Sequence, residues 1–181
     1  MRKRICVFCG SSSGKSSKYV EFARELGAKM SEQNFDLVYG GASIGVMGAV
    51  ADQVLEKGND VIGIMPQSLI DWEVGHKGLT KLEVVDTMHK RKELMYDYSD
   101  VFVAIPGGFG TLDELCEIIT WAQLKYHLKP IYVLNFNGFF TSMLDHFKNA
   151  HEEGFISKEH LDLVKVVDTV DEFLASLKET L

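Results

Sequence analysis

A chain of 181 residues with 46% hydrophobic and 25% charged side chains is long enough to bury one sizeable core, and it lacks the bias of a disordered or fibrous sequence. Its formal net charge of −7 argues against a general nucleic-acid or anionic-membrane surface, so the expected partner is a small molecule. Three cysteines are an odd number, and two of them lie in one apolar run, which argues against a disulfide framework.

Met1 to Arg4 is basic, but the apolar run behind it, Ile5 to Cys9, is too short for a signal-peptide core or a membrane span, so a cytoplasmic protein is expected. Arg4 to Cys9 reads as a buried strand that ends in Gly10-Ser11-Ser12-Ser13-Gly14. Ser17 to Gln33 follows with apolar residues at Val20, Ala23, Leu26 and Met30, completing a first βα unit. Ser12 and Lys15 stand where a dinucleotide fingerprint would have its second and third glycines, so the loop reads as a pocket wall and not as an NAD site. Cys6 and Cys9 have C-x-x-C spacing. On a strand, residues three apart face opposite sides, and with no second pair for zinc they read as packed thiols.

Phe35 to Tyr39 is a second strand, and Gly40 to Gly48 leads from it into a helix reaching about Lys57. That loop either lines a crevice or makes a tight turn with close helix–strand packing at Gly48. Val61 to Met65 is a third strand closed by Pro66. From Gln67 to Asp86 no period is clear, and the stretch reads as a lid or rim loop. Glu73 within it is a candidate for sugar hydroxyls or an ordinary solvated glutamate. Met88 to about Ser99 is helical, with Arg91 on the face of Met88 and Met95. A guanidinium on that inward face needs an anion, either a structural carboxylate or a ligand, and Lys92 beside it is a binding candidate or part of a solvated basic run.

Val101 to Ile105 is uninterruptedly apolar, as a central strand covered on both faces should be, and it delivers the chain into Pro106-Gly107-Gly108-Phe109-Gly110-Thr111-Leu112-Asp113-Glu114. Strand, glycine turn and helix in that order predict an anion cradle, since close backbone approach and the unpaired N–H groups of a helix beginning near Thr111 favour a phosphate. Thr111 can cap the helix or donate its hydroxyl to that phosphate, with Asp113 and Glu114 expected in the first turn. Thr120, two turns after Glu114, reaches the pocket rim or is a surface threonine. Trp121 and Tyr126 read as packing or interface aromatics, and His127, His146, His151 and His160 show no metal spacing. Ile131 to Leu134 is a strand, Phe139 to His151 a helix, Leu163 to Val167 a short strand and Val170 to Leu177 a closing helix. Alternating strands and helices predict one Rossmann-like domain over residues 1–181, an α/β doubly wound fold with a mainly parallel sheet and helices on both faces. Its Gly10, Gly41 and Gly107 loops should gather at one sheet edge.

Gly40 to Gly48, Met88 to Lys92 and Pro106 to Glu114 together resemble the LONELY GUY (LOG) family, and the likeness extends over nearly the whole chain. The resemblance implies a cytokinin riboside 5′-monophosphate phosphoribohydrolase, which releases an adenine-type base and ribose 5-phosphate from a nucleoside monophosphate, with AMP accepted by bacterial relatives. It implies catalytic roles for Arg91 and Glu114, and substrate contacts from Glu73, Arg91, Lys92, Gly107, Gly108, Phe109, Gly110, Thr111, Leu112, Asp113, Glu114 and Thr120. It also implies a homodimer with the site near the interface. Related nucleotide- and molybdenum-cofactor-binding proteins share the Gly-Gly-x-Gly-Thr loop, so a non-enzymatic carrier is the alternative. Relatives have also carried a lysine decarboxylase label, but no Ser-x-His-Lys-type pyridoxal anchor is present. Breaking an N-glycosidic bond develops positive charge at C1′ and O4′, which an ionised Glu114 would stabilise, and the scheme requires neither metal nor cofactor.

Overall fold

The structure, a computed structural model, describes residues 2–73 and 75–180, and the side chains of residues 71–73 lie outside the described set. Among the described residues the strands are β1 (Arg4–Phe8), β2 (Asp36–Tyr39), β3 (Val61–Pro66), β4 (Lys81–Val85), β5 (Val101–Ala104), β6 (Ile131–Leu134) and β7 (Val164–Val167). The helices are α1 (Lys18–Glu32), α2 (Gly45–Glu56), α3 (Gln67–Glu73), α4 (Met88–Asp97), α5 (Phe109–Gln123), α6 (Thr141–Glu152), α7 (Lys158–Leu161) and α8 (Val170–Thr180).

All strand pairs are parallel, in the order β4-β3-β2-β1-β5-β6-β7. The chain therefore builds outward from β1 to β4, crosses back, and builds the other half from β5. In such a sheet the crevice opens where the winding reverses, outside the carboxyl ends of the strands, which here means between β1 and β5. Continuous burial of β2, β3, β5 and β6, and of β1 after Arg4, follows from helices on both faces.

Two cores flank the sheet. Phe22, Leu26 and Met30 of α1 meet Val50 and Val54 of α2 and Phe173 of α8 on one face. Met95 of α4, Leu115 and Ile118 of α5, and Phe140 cover the other. Each fully buried large apolar side chain contributes about 1.5–3 kcal/mol relative to exposure. Cys6 belongs to the second core and Cys9 to the first, the opposite facing that a strand requires.

Two expectations need correction. Gln67 to Asp86 is not one irregular loop, because it contains α3 and β4, the latter paired with β3 from Ile62↔Lys81 to Pro66↔Val85. An edge strand is buried at few positions, here fully only at Val85, so it carries no continuous apolar run to read. Second, α5 starts at Phe109, two residues before the expected Thr111, which moves Asp113 and Glu114 beyond the first turn. No helix among the described residues is long and apolar enough to cross a membrane.

Candidate active site

Three loops meet at the carboxyl ends of β1, β2 and β5. Gly10 N–H donates to Pro106 O at 3.2 Å, Ile105 N–H to Phe8 O at 3.0 Å, and Met47 N–H to Gly10 O at 3.0 Å. These bonds sew the serine-rich loop after β1 to the start of α2 and to the glycine turn after β5. A cleft of about 220 Å³ opens there, lined by Cys9, Gly10, Ser11, Met47, Arg91, Gly108, Phe109, Gly110, Thr111 and Glu114.

Its rim is the amino end of α5. The cap residue, Gly108, is extended and offers no side-chain oxygen, so the first N–H groups of the helix face the cleft without a side-chain cap. Thr111 is 2% exposed, and its Oγ1 is buried with no hydrogen-bond partner. Of the two roles open to this hydroxyl, capping is thus not taken. A methyl group on Gly107 would collide with Thr111 Oγ1, so only glycine lets the turn pass this close.

The floor holds a buried ion pair. Arg91 of α4 is 4% exposed and Glu114 of α5 is 5% exposed, with Nη2 of Arg91 3.7 Å from Oε1 of Glu114. That separation is a charge contact rather than a direct hydrogen bond. The guanidinium is clamped independently, Nε donating to Ile64 O of β3 at 3.1 Å and Nη2 to Gly40 O just past β2 at 3.3 Å, so backbone carbonyls aim it. Any side chain at Gly40 would occupy the position of Nη2. The anion required by an inward arginine is therefore Glu114. Burial first, and then the charge of Glu114, push the Cys6 and Cys9 thiols well up, so Cys9 meets the cleft as a neutral thiol and not as a nucleophile.

The other residues singled out by sequence lie differently. Lys92 does not line the cleft; its ammonium is held by Asp113 at 3.1 Å and Glu117 at 2.9 Å. Leu112 packs against the core beneath α4 and α5. Thr120 is exposed, donates its hydroxyl to Cys116 O at 2.7 Å, and is not among the lining residues. Glu73 ends α3, and its side chain lies outside the described residues. Sequence reasoning misses Cys9 as a lining residue, reading it as a packed thiol, and it reaches Met47 only as part of the Gly40 to Gly48 loop, for which lining the crevice is one of two readings. The signal for Cys9 is positional, since it falls just past the point where β1 delivers the chain to the crevice. A larger hollow of about 460 Å³ lies beyond β6 and β7, but its charged lining, Glu25 and Asp168, is acidic only and suits no phosphate.

A family profile described as "Possible lysine decarboxylase" matches residues 47–177. The chain is 46% identical over 177 residues to the cytokinin riboside 5′-monophosphate phosphoribohydrolase LOG3 of Arabidopsis thaliana, covering 98% of this chain and 82% of that one. It is 44% identical to the phosphoribohydrolase LOG of Oryza sativa subsp. japonica, over 98% of this chain and 73% of that protein. The chain belongs to the LOG family. At the level of fold alone, this LOG-family chain superposes on the Moco carrier protein of Chlamydomonas reinhardtii with a TM-score of 0.73 at 23% identity, covering 99% and 97% of the two chains. A molybdenum cofactor binding protein from Rippkaea orientalis gives 0.74 at 21% identity, over 99% and 98%.

Proposed function

We propose that this LOG-family enzyme hydrolyses the N-glycosidic bond of a purine nucleoside 5′-monophosphate, of the cytokinin type or AMP, to free base and ribose 5-phosphate. The carrying observation is the buried Arg91–Glu114 pair at the floor of a cleft whose rim is an uncapped helix start. The 5′-phosphate would accept the N–H groups of Phe109, Gly110 and Thr111 and the Thr111 hydroxyl, anchoring the nucleotide so that C1′ lies beside Glu114. As the bond to the base nitrogen breaks, its electron pair leaves with the base, and positive charge spreads over C1′ and O4′. Glu114, ionised against Arg91, stabilises that charge and orients the water whose oxygen bonds to C1′, while the released base gains a proton.

Incubation with AMP and with isopentenyladenosine monophosphate, followed by chromatography, should yield free base and ribose 5-phosphate from at least one of them. Formation of neither product removes this reading for those substrates. A non-enzymatic carrier is the second reading, supported by the fold likeness to the Moco carriers, and it would bind nucleotides tightly without base release. The decarboxylase label finds less support, because no lysine is among the cleft's lining residues to form a Schiff base.

The same reading includes a cytoplasmic homodimer. The homodimer is supported by a run of exposed apolar side chains just after α5, with Leu124 at 54%, Tyr126 at 70% and Leu128 at 93% exposure. Sedimentation velocity should give twice the 20.3 kDa chain mass, and a monomer at micromolar concentration would count against it.

A further inference from the structure

Glu114 borders two spaces. One is the cleft, and the other is a hollow of about 10 Å³ behind it, lined by Phe8, Lys92, Tyr96, Glu114, Glu117 and Ile118. That volume has room for about one water molecule, and the ammonium and two carboxylates around it supply the polar partners such a water needs. Glu117 lies one turn beyond Glu114 on α5, so the two carboxylates share a helix face. Lys92, the neighbour of Arg91 on α4, meets that face with a side chain only 13% exposed, 2.9 Å from Glu117 and 3.1 Å from Asp113.

We propose that Lys92 and Glu117 form a positioning pair for Glu114, setting its charge and orientation from behind through the shared hollow. The charged and titratable groups around Glu114 are Arg91, Lys92 and the Tyr96 phenol from α4, Glu117 from α5 with Asp113 on the exposed side of Lys92, and the neutral thiols of Cys6 in β1 and Cys9 just past it. Two cations thus oppose three carboxylates, of which Glu114 is buried and Asp113 is on the solvent side. Removing Lys92 leaves Arg91 alone against three anions and makes Glu114 harder to ionise, whereas removing Glu117 does the reverse. Burial opposes the charge on Lys92, yet its bonds to Glu117 and Asp113 outweigh that and hold the amine protonated above its ordinary range. The pair touches no reacting atom. It acts through Glu114, and so the inference rests on the catalytic role proposed above for that carboxylate.

The test follows the Glu114 carboxyl by ¹³C NMR in the full chain labelled at glutamate carboxyls, with the resonance assigned by its absence in Glu114→Gln, alongside the pH dependence of turnover. Lys92→Met should raise the titration midpoint by about one pH unit and Glu117→Gln should lower it by about half a unit, while Lys92→Arg stays within about 0.3 unit of the wild type. The acid limb of kcat should move by the same amounts in the same directions, with KM changing less than about threefold. Shifts of Lys92→Met and Glu117→Gln in the same direction, or no shift in either, overturn the proposal. Should Lys92→Met not fold, Glu117→Gln and Lys92→Arg carry the same test. Opposite NMR shifts in a wild-type protein that releases no base would sink the hydrolase reading and leave the pair's effect on Glu114 standing, and turnover with unshifted titrations would do the opposite.

Discussion

Thr111 carries the sharpest contrast between stability and binding at the scale of single residues. Its hydroxyl is buried without a partner, an arrangement that costs folding free energy and gains only when an acceptor arrives. Thr111→Val keeps the shape and removes the orphaned group. The expected result is a chain at least as stable as the wild type by urea unfolding, with KM for the nucleotide raised about tenfold, corresponding to about 1.4 kcal/mol of lost binding. Arg91 and Glu114 should separate in another way. Glu114→Gln retains the size of the side chain and should keep nucleotide affinity within a few-fold while kcat falls about 10²–10³-fold, the usual scale for removing one electrostatic stabiliser of a transition state. Arg91→Ala leaves the Glu114 carboxylate buried without its guanidinium and strips the Ile64 and Gly40 carbonyls of its N–H groups. It should cost about 3–5 kcal/mol of stability by denaturant titration and reduce binding as well as turnover. Retained turnover in Glu114→Gln would remove its catalytic role.

Among the elements, the junction after α5 has a pH dependence written into its hydrogen bonds. His127 receives Lys129 N–H on Nδ1 at 3.1 Å, so its Nε2 carries the proton and donates to Ile118 O at 3.0 Å, closing the end of α5 as a neutral ring. Burial, with the Lys129 ammonium adding to it, lowers its pKa from the ordinary 6.5. A depressed folded value means that the unfolded chain binds the proton more readily. The contribution of His127 is therefore complete above about pH 6.5 and is lost as pH falls from there through the folded pKa. Urea unfolding at pH 7.5 and 5.5 should show a stability drop that is smaller in His127→Gln, whose amide can still donate to Ile118 O but does not titrate. An equal drop in both chains would assign the acid sensitivity to other groups. The elements themselves differed in legibility for a physical reason. β1 and β5 are covered on both faces and announce themselves as apolar runs, whereas β4 is an edge strand with Lys81 and Glu83 in its five residues and α3 is one short helix following Pro66 directly.

Over the whole molecule, ligand binding and folding are linked, because a nucleotide that binds the folded chain alone stabilises it by mass action. At AMP concentrations about 100 times Kd the gain is about 2.7 kcal/mol, which for a chain of this size raises Tm by about 5–10 °C. Glu114→Gln should show that shift without consuming the ligand, and Arg91→Ala should lose most of it; equal shifts in both variants would detach Arg91 from binding. The alternation of apolar strands with amphipathic helices, and the glycines after β1, β2 and β5, determined from sequence alone a doubly wound sheet with its crevice at one edge, because these features depend on local period and backbone freedom. Only the tertiary structure decided what each polar side chain meets there. Arg91 and Glu114 are 23 positions apart in sequence and join only because β5 returns beside β1 and brings α5 against α4. Lys92 and Thr111 were both legible as binding candidates, yet the packing turned the ammonium toward Glu117 and left the hydroxyl buried at the cleft without a partner. Periodicity assigns a residue to a face, but a polar side chain's partner comes from whichever distant element the packing of the core presses against that face.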